Sequence, residues 1–324
     1  MQILEDLRKV FNDFLESKKF TQSPSQLYEP NNYFLSIGGK RMRPVLVLLG
    51  NHLYNKKYPD VLPAALAIEY FHNFSLIHDD MMDQAPLRRG HTTVHEKYGP
   101  NTAILSGDAL LVYAYKSIAD IPERFLKDVL DIFTNTAVEV CEGQQYDMNF
   151  ETQSAVSESE YIEMIRLKTS VVLAAGLKIG ALIGGADQQD TDSLYHYAIN
   201  LGIAFQIQDD ILDCYGDVGL VGKQPGGDII QNKKTILLIR ALAKAKSEKD
   251  SSLEQILCKS YPDKKEKVIQ VLALYEKYQI RESVENLKED YIQKALSYLE
   301  NTSLHADKKE ILLQLVEYLV RRKY

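Results

Sequence analysis

Six aspartates stand in two clusters that share the spacing DDxxD, inside segments that are otherwise apolar. They are Asp79, Asp80 and Asp83 in the first cluster and Asp209, Asp210 and Asp213 in the second. On a helix, the first and last aspartate of each cluster lie one turn apart on one face. Carboxylates seldom lie on a buried face without a partner. Because Mg²⁺ in proteins is held by a few carboxylates together with substrate phosphates, the clusters predict metal-assisted binding of a diphosphate.

Other polar side chains share the helical faces of these clusters. At about 100° per residue, His72 falls within roughly 20° of Asp79, so the two form one polar stripe. Gln206 precedes Asp210 by one turn, and Gly202, a further turn back, leaves room beside that face. A single DDxxD is also typical of an exposed helix end, whereas a second copy on an apolar helix favours a functional site.

Basic residues flank both aspartate clusters. They are Lys40, Arg41 and Arg43 in GGKRMRP, Arg88 and Arg89 in LRRG, and Lys223, Lys233 and Lys234 after the second cluster. Glycine permits tight turns, and arginine binds phosphate through several hydrogen bonds at once. The set is large enough to neutralise two diphosphates, one bound through metal ions and one bound directly.

The elements that position these residues are predicted to be helices, because apolar residues recur at three- and four-residue spacing. The predicted helical ranges are 2–19, 41–55, 60–83, 101–118, 124–150, 158–185, 190–213, 233–246, 263–299 and 305–321. Alternating patterns are scarce, so strands are not needed. No change of composition marks a linker, which favours one all-α domain over residues 1–324, built as a helical bundle.

The bulk composition narrows the class of protein. The 324 residues carry a net charge of −7 with acids and bases mixed, which argues against a nucleic-acid partner. Three cysteines without metal-ligand spacing indicate a reducing compartment. The first residues form an amphipathic pattern without the apolar core of a signal peptide, and no apolar run approaches membrane-spanning length. A cytoplasmic protein is expected.

These motifs together resemble one enzyme family. Matching stretches include GGKRMRP, SLIHDDMMDQAPLRRG, EGQQYD, IRLKTS, FQIQDDILDCYGD and GKQPGGDIIQNKKT, in the family's order between residues 38 and 235. The chain resembles the trans-isoprenyl diphosphate synthases, also called polyprenyl synthetases. The resemblance implies the isoprenoid synthase type I fold, a helical bundle around a deep central cavity. The C-terminal third matches mainly by its helical pattern.

The resemblance implies a Mg²⁺-dependent head-to-tail (1′-4) condensation of isopentenyl diphosphate with an allylic diphosphate. Asp79 and Asp83, with Asp209, would hold about three Mg²⁺ ions on the allylic diphosphate, and Mn²⁺ could substitute. Asp80, Asp210 and Asp213 are expected to belong to the same metal sites. The released diphosphate would accept the last proton, so His78 and His91 are expected to be structural. The resemblance also implies a homodimer.

Individual positions take their expected roles from the same resemblance. The allylic diphosphate would contact Arg88, Lys168, Lys223 and Lys233, and isopentenyl diphosphate would contact Lys40, Arg43, His72 and Arg89. Thr169, Gln206 and the carbonyl of Lys168 would stabilise positive charge on carbon.

Two positions depart from the family pattern. Asn232 stands where a glycine is usual, and asparagine tolerates the left-handed backbone conformation. The chain ends in a basic tail, and Arg321, Arg322 and Lys323 are candidates to close over a diphosphate, although a frayed cationic helix end is the simpler interpretation.

Product length is expected to depend on residues beneath the first cluster. Phe74 and Ser75 occupy the fifth and fourth positions before Asp79, and Phe71 lies one turn further down. An aromatic residue at the fifth position resembles the pattern of enzymes that make twenty-carbon geranylgeranyl diphosphate, with fifteen-carbon farnesyl diphosphate as the next expectation.

Four other functions remain open on the sequence. A longer-chain polyprenyl diphosphate synthase is one of them. A terpene cyclase would not need the basic GGKRMRP segment, and a non-catalytic subunit would usually lack some of the carboxylates. A metal hydrolase built on His78, Asp79 and Asp80 would need further imidazole ligands.

Overall fold

A computed structural model of the chain describes residues 2–216 and 226–320. The chain divides into two compact units. The first comprises Met1–Ala137 and Ala175–Tyr195, and the second comprises Val138–Ala174 and His196–Tyr324. The expectation of a single domain therefore stays a prediction.

The chain runs through helices almost from end to end. In the first part these are α1 (Gln2–Glu16), α2 (Ser25–Ser36), α3 (Met42–Tyr54), α4 (Leu62–Met82), α5 (Val94–Tyr98), α6 (Pro100–Ile118) and α7 (Glu123–Thr152). Next come α8 (Glu158–Ile165), a π-helical turn (Arg166–Ser170), α9 (Val171–Gly184) and α10 (Gln188–Tyr215). The last are α11 (Gly227–Gln231), α12 (Ile236–Ser247), α13 (Ser252–Cys258), α14 (Lys264–Lys277), α15 (Ile280–Glu300) and α16 (Ala306–Leu319). The predicted all-α class is confirmed.

Helix α4 carries the first aspartate cluster and is the central helix of the first unit. Apolar residues surround most of its circumference, so it is buried on nearly every side, with α6 and α3 packed against it. Pro63 stands in its first turn, where a missing N–H costs nothing. Phe71 and Ile77 are each 1% exposed. The three acids therefore lie at the end of a helix whose position is fixed by its core packing.

A two-residue hairpin follows the first aspartate cluster. Strands β1 (Leu87–Arg88) and β2 (His91–Thr92) pair antiparallel, with Arg88 opposite His91. The connecting residues Arg89 and Gly90 have φ values of 54° and 78°, as a two-residue hairpin turn requires. The sequence pattern gave no reason to expect strands, so this short hairpin was not predicted.

Several helix boundaries also differ from the predicted ones. Helices α2, α5, α11 and α13 were not predicted, and the predicted helix 263–299 is two helices. The break falls at Gln279, which has φ 54°, a left-handed conformation that ends one helix and starts the next. The tenth predicted helix ends at Leu319, and residues 321–324 lie outside the described part of the chain.

One stretch of 27 residues, Glu158–Gly184, is long and apolar enough to cross a membrane by length and composition. Burial within the fold covers 72% of its most apolar window, as in the core helix of a folded domain. The prediction that no apolar run approaches membrane-spanning length was wrong for this stretch. The absence of a membrane span stays a prediction.

Candidate active site

The GGKR segment forms a turn that the hairpin arginine holds from outside. Gly38 and Gly39 have φ values of 81° and 137°. A Cβ on Gly39 would lie 2.4 Å from Nη1 of Arg89, so only glycine lets this side chain approach the turn. Arg89 donates a hydrogen bond to the carbonyl of Gly38. The GGKR segment and the hairpin with Arg89, which only the family resemblance assigned to one site, are therefore in contact.

Arg41 is turned away from this turn into the core. Its buried guanidinium donates to the carboxylate of Glu69 and to the carbonyl of Leu35. Asn73 donates from Nδ2 to the same Glu69 oxygen at 2.8 Å. Arg41, one of the candidate phosphate ligands, is thus used to anchor the turn, whereas Lys40 is exposed. Glu69 was missed, although a lone acid within AALAIEYF was a visible signal.

Arg43 and His72 are brought together as predicted for one binding site. Arg43 Nη1 lies 3.0 Å from His72 Nε2. Arginine can only donate, so Nε2 accepts and the ring proton sits on Nδ1. Burial, reinforced by Arg43 and Arg89, lowers the pKa of His72 well below its usual value. The imidazole is therefore neutral and leaves the positive charge at this place to the arginines.

The three aspartates of the first cluster differ in how deeply they are buried. Asp80 is 1% exposed and accepts from Arg88 Nε at 2.7 Å. Burial raises the pKa of Asp80 above its usual value, partly opposed by the Arg88 charge. Asp79 accepts from Arg88 Nη2 at 3.2 Å, and Asp83 is exposed one turn later. Asp79 and Asp83 are therefore the carboxylates of this cluster that a ligand can reach.

A cavity of about 540 Å³ lies within the second unit. Its walls come from α7, α8, the π turn, α10 and the segment before α12. The lining residues are Asp147, Phe150, Glu151, Tyr161, Met164, Ile165, Lys168, Thr169, Gln206, Asp210, Gln231, Asn232, Lys233, Lys234 and Thr235. Among them are five residues to which the sequence assigned a role in the site, Lys168, Thr169, Gln206, Asp210 and Lys233, although they come from three distant stretches of chain.

Asp210 is the inward member of the second cluster. Its Oδ2 accepts from the hydroxyl of Tyr161 and from the backbone N–H of Ile236 at 3.3 Å. Gln206 Nε2 lies 3.5 Å from Oδ1. Burial raises the pKa of Asp210 to about 7, more than the hydrogen bond from Tyr161 lowers it. Asp210 therefore holds the cavity wall together, and Tyr161 is a residue that the sequence interpretation missed.

The other two aspartates of this cluster have different surroundings. Asp213 accepts from the backbone N–H of Asp228 at 3.0 Å, at the start of α11. Asp209 is half-buried on the preceding turn. Across residues 2–216 and 226–320, no three histidine, cysteine, aspartate or glutamate side chains converge on one point. Carboxylates that share Mg²⁺ with phosphate oxygens and water do not need to converge in that way.

Lys168 and Thr169 occupy the π turn at the cavity wall. Lys168 Nζ donates to Asp147 Oδ2 at 2.6 Å. Thr169 Oγ1 lies 3.5 Å from Gln206 Oε1. The structure thus brings together the three residues predicted to act on positive charge. Asp147 was missed, although it is the last residue of the matching stretch EGQQYD.

The segment that carries Lys233 is anchored from α14. Asn232 has φ 56°, so the expected left-handed conformation at this departure from the family is confirmed. Lys267 Nζ donates to Asn232 Oδ1 at 2.6 Å and to the Ile230 carbonyl at 3.0 Å. Asn232 Nδ2 donates to the Leu257 carbonyl at 3.2 Å. Lys223 and the basic tail of Arg321, Arg322 and Lys323 lie outside the described residues.

The residues expected to limit product length lie on α4 in an aromatic cluster. Phe71 packs edge-on against Phe133, with 5.5 Å between ring centroids. Phe74, half-buried, packs edge-on against His78 at 4.8 Å. Ser75 donates to the carbonyl of His72 at 2.9 Å, so its hydroxyl is bound to its own helix. His78 thus packs on an aromatic ring, and its Nε2 lies 3.2 Å from the Ile104 carbonyl.

Known proteins share both the sequence and the fold. The profile of the polyprenyl synthetase family matches residues 24–275. The geranylgeranyl diphosphate synthase of Methanosarcina mazei is 39% identical over 93% of this chain and 91% of its own length. The geranylfarnesyl diphosphate synthase of Natronomonas pharaonis is 38% identical over 74% of this chain and 75% of its own. A crystal structure of a geranylgeranyl pyrophosphate synthase superposes with a TM-score of 0.94, at 40% identity and 99% coverage of both chains.

The chain therefore belongs to the polyprenyl synthetase family. It has the isoprenoid synthase helical fold and is a prenyltransferase. The family and fold implied by the sequence motifs are both confirmed.

Proposed function

We propose that this enzyme condenses isopentenyl diphosphate with an allylic diphosphate to give geranylgeranyl diphosphate. The observation that carries the proposal is the cavity in the second unit. Lys168, Thr169, Gln206, Asp210 and Lys233 all line it. Cations beside an amide and a hydroxyl suit a site where a diphosphate leaves and positive charge develops on carbon.

Residues of the first unit are proposed to bind isopentenyl diphosphate. Isopentenyl diphosphate is bound directly by Lys40, Arg43, His72 and Arg89. The neutral His72 accepts a hydrogen bond from Arg43 and so holds its guanidinium in place, and Arg89 donates to the carbonyl of Gly38. Arg88, Lys168, Lys233 and Lys223 contact the allylic diphosphate. When the allylic diphosphate binds, its phosphate oxygens replace the carboxylates as hydrogen-bond acceptors. Lys168 then leaves Asp147, and Arg88 leaves Asp79.

Asp79, Asp83 and Asp209 are the carboxylates that hold Mg²⁺ with the substrate phosphates. Their chemistry fits a hard cation, because all three offer carboxylate oxygens and none is buried like Asp80 or Asp210. When bound, the metal ions neutralise charge on the departing diphosphate. Asp80, Asp210 and Asp213 keep Arg88, the cavity wall and the start of α11 in place.

The proposed product has twenty carbons. Phe74 and Phe71 stand below Asp79 on α4, where a growing apolar tail would meet them. The relatives named geranylgeranyl diphosphate synthase support this length, and the geranylfarnesyl relative marks a longer product as the alternative. Farnesyl diphosphate is the shorter alternative.

The enzyme is further proposed to be a cytoplasmic homodimer without a nucleic-acid partner. Cys141 and Cys258 are exposed free thiols, which suits a reducing compartment. Leu105 and Val112, two turns apart on α6, are 60% and 66% exposed. An apolar strip of this kind suits contact with a second copy of the chain.

A pair of matched lysine variants tests the proposed diphosphate site. Lys168 and Lys178 each bind one aspartate at 2.6 Å and are 26% and 20% exposed. Lys168→Met should lower kcat/KM for the allylic diphosphate about 10- to 100-fold, the value of a hydrogen bond to a charged group. Lys178→Met should keep the wild-type value. Steady-state incorporation of radiolabelled isopentenyl diphosphate gives both numbers, and equal losses in the two variants would refute the assignment.

A further inference from the structure

The helix that carries Lys168 and Thr169 is widened by one residue at that place. Arg166–Ser170 form a π-helical turn between α8 and α9, closed by the N–H of Val171 on the carbonyl of Arg166. Such turns are rare because they disturb the regular backbone hydrogen bonds, and they persist where neighbouring elements hold them. The conformation of this turn sets where Lys168 and Thr169 meet the cavity.

One neighbour is α7, which approaches the turn through a glycine. A Cβ built on Gly143 would lie 2.3 Å from the backbone nitrogen of Lys168 and 2.8 Å from the carbonyl carbon of Leu167. Carbon atoms in contact normally stand about 3.5–4.0 Å apart, so no larger residue fits without moving the turn. One helical turn after Gly143 stands Asp147, the partner of Lys168 Nζ.

The other neighbour is α10, which approaches from the far end of the turn through a second glycine. A Cβ on Gly202 would lie 2.8 Å from Cα, Cβ and Oγ of Ser170. One helical turn after Gly202 stands Gln206, the partner of Thr169 Oγ1. Both flanking helices thus repeat one arrangement, a glycine against the backbone of the π turn and, four residues later, a polar partner for its side chain.

We infer that Gly143 and Gly202 are positioning residues that clamp the π turn between α7 and α10. They act through Lys168 and Thr169 and touch no substrate themselves. The inference rests on the proposed function, because it concerns how that site is aligned for the loss of diphosphate. An alanine at either position pushes the turn by about 1 Å, the scale at which misplacement of catalytic groups costs up to 10²-fold in rate.

Gly143→Ala tests the clamp against a control of equal steric size. A Cβ on Gly50 would lie 2.3 Å from the carbonyl oxygen of Leu177 and 2.8 Å from the backbone nitrogen of Ala181. These are the same overlaps, but they fall on α9 about two helical turns after the π turn ends. We expect Gly143→Ala to lower kcat by about 10- to 100-fold. Its KM for isopentenyl diphosphate should stay within about twofold of the wild type, because that substrate is bound by the first unit. Gly50→Ala should lower Tm comparably but keep kcat.

A compensating pair of substitutions keeps the inference testable if Gly143→Ala does not fold. Gly202→Ala has the milder overlap and should lower kcat by about tenfold. Two of the three atoms it meets belong to the Ser170 side chain, so adding Ser170→Gly should restore kcat at least threefold. Unchanged kcat in Gly202→Ala, or no recovery in the double variant, would overturn the clamp. So would an equal kcat loss in Gly50→Ala.

Different results would contradict the proposed function and the glycine clamp. If wild-type protein elongates no allylic diphosphate, the proposed function is wrong and the glycine variants have no rate to compare. If wild type elongates normally and both glycine variants do too, only the clamp is wrong.

Discussion

At the scale of single residues, the six aspartates do not share one task. Asp80 and Asp210, the middle members of the two clusters, are buried and bound by Arg88 and Tyr161. The outer members are more accessible, with Asp213 already accepting from a backbone N–H. The DDxxD spacing predicted that these carboxylates bind a diphosphate with the help of metal ions. Which of them turn inward depends on partners in α8 and the hairpin that helical spacing does not reveal.

Asp210 makes the stability of the metal-free protein fall as pH rises. Its folded pKa is about 7, above the 3.8 of an unperturbed aspartate, so the unfolded chain loses the proton first. The stabilisation is complete below about pH 4 and is lost as pH rises through 7, by roughly 4 kcal/mol at most.

Asp210→Asn removes the titration of this carboxyl. Comparing the variant with the wild type therefore separates the effect of Asp210 from that of other titrating groups. In a chelating buffer, the Tm of the variant minus that of the wild type should increase by several degrees between pH 5 and pH 8. Thermal unfolding at four or five pH values measures the difference. Parallel Tm curves would show that the buried carboxyl does not titrate in this range.

Phe74 is the sharper of the two candidates for the residue that limits product length. Phe71 is 1% exposed, and its truncation to alanine would cost about 3–5 kcal/mol of stability. Phe74 is half-buried, so Phe74→Ala should fold and extend the main product by at least one five-carbon unit. Phe14→Ala, a half-buried phenylalanine of α1, should leave the product unchanged. Chromatography of the dephosphorylated products decides, and an unchanged length in Phe74→Ala would place the limit elsewhere.

At the scale of secondary-structure elements, apolar spacing predicted most helices, including those that carry both clusters. It missed α2, because Pro24 and Pro30 are breaking signals although the helix accommodates Pro30. It joined α14 to α15, because Gln279 adopts a left-handed conformation without glycine or proline to announce it. The π turn was invisible for a similar reason, since its sequence RLKTS is ordinary and its cause lies in the glycines of α7 and α10.

The hydrogen bonds from Lys267 of α14 to the segment before Lys233 can be tested by substitution. Lys267, 6% exposed, holds the side chain of Asn232, so Lys267→Met should destabilise the fold by about 1.5–3 kcal/mol and raise KM for the allylic diphosphate. Asn232→Gly keeps the left-handed backbone and should cost less. In denaturant unfolding, the loss of unfolding free energy in the double variant should differ from the sum of the two single losses by at least about 0.5 kcal/mol. Strict additivity would mean that the contact holds nothing in place.

At the scale of the whole molecule, sequence motifs, fold and relatives agree on the family. The family profile spans residues 24–275, and a solved structure of 40% identity covers 99% of the chain. The C-terminal third, which matched the family mainly by helical pattern, folds into α12 to α16 and provides Lys267. What the motifs could not specify is how the residues around them are supported. Glu69 and Tyr161 lie outside every matching stretch, and Asp147 lies within EGQQYD without an assigned role.

The most direct test of the whole account is the length of the product. Purified protein is incubated with radiolabelled isopentenyl diphosphate, farnesyl diphosphate and Mg²⁺, and the dephosphorylated products are separated by chromatography. We expect one main linear product of twenty carbons, and no incorporation of isopentenyl diphosphate when a chelator is present. A main product of any other length would contradict this expectation, and so would a folded protein that incorporates no isopentenyl diphosphate or that converts the primer to a cyclic hydrocarbon.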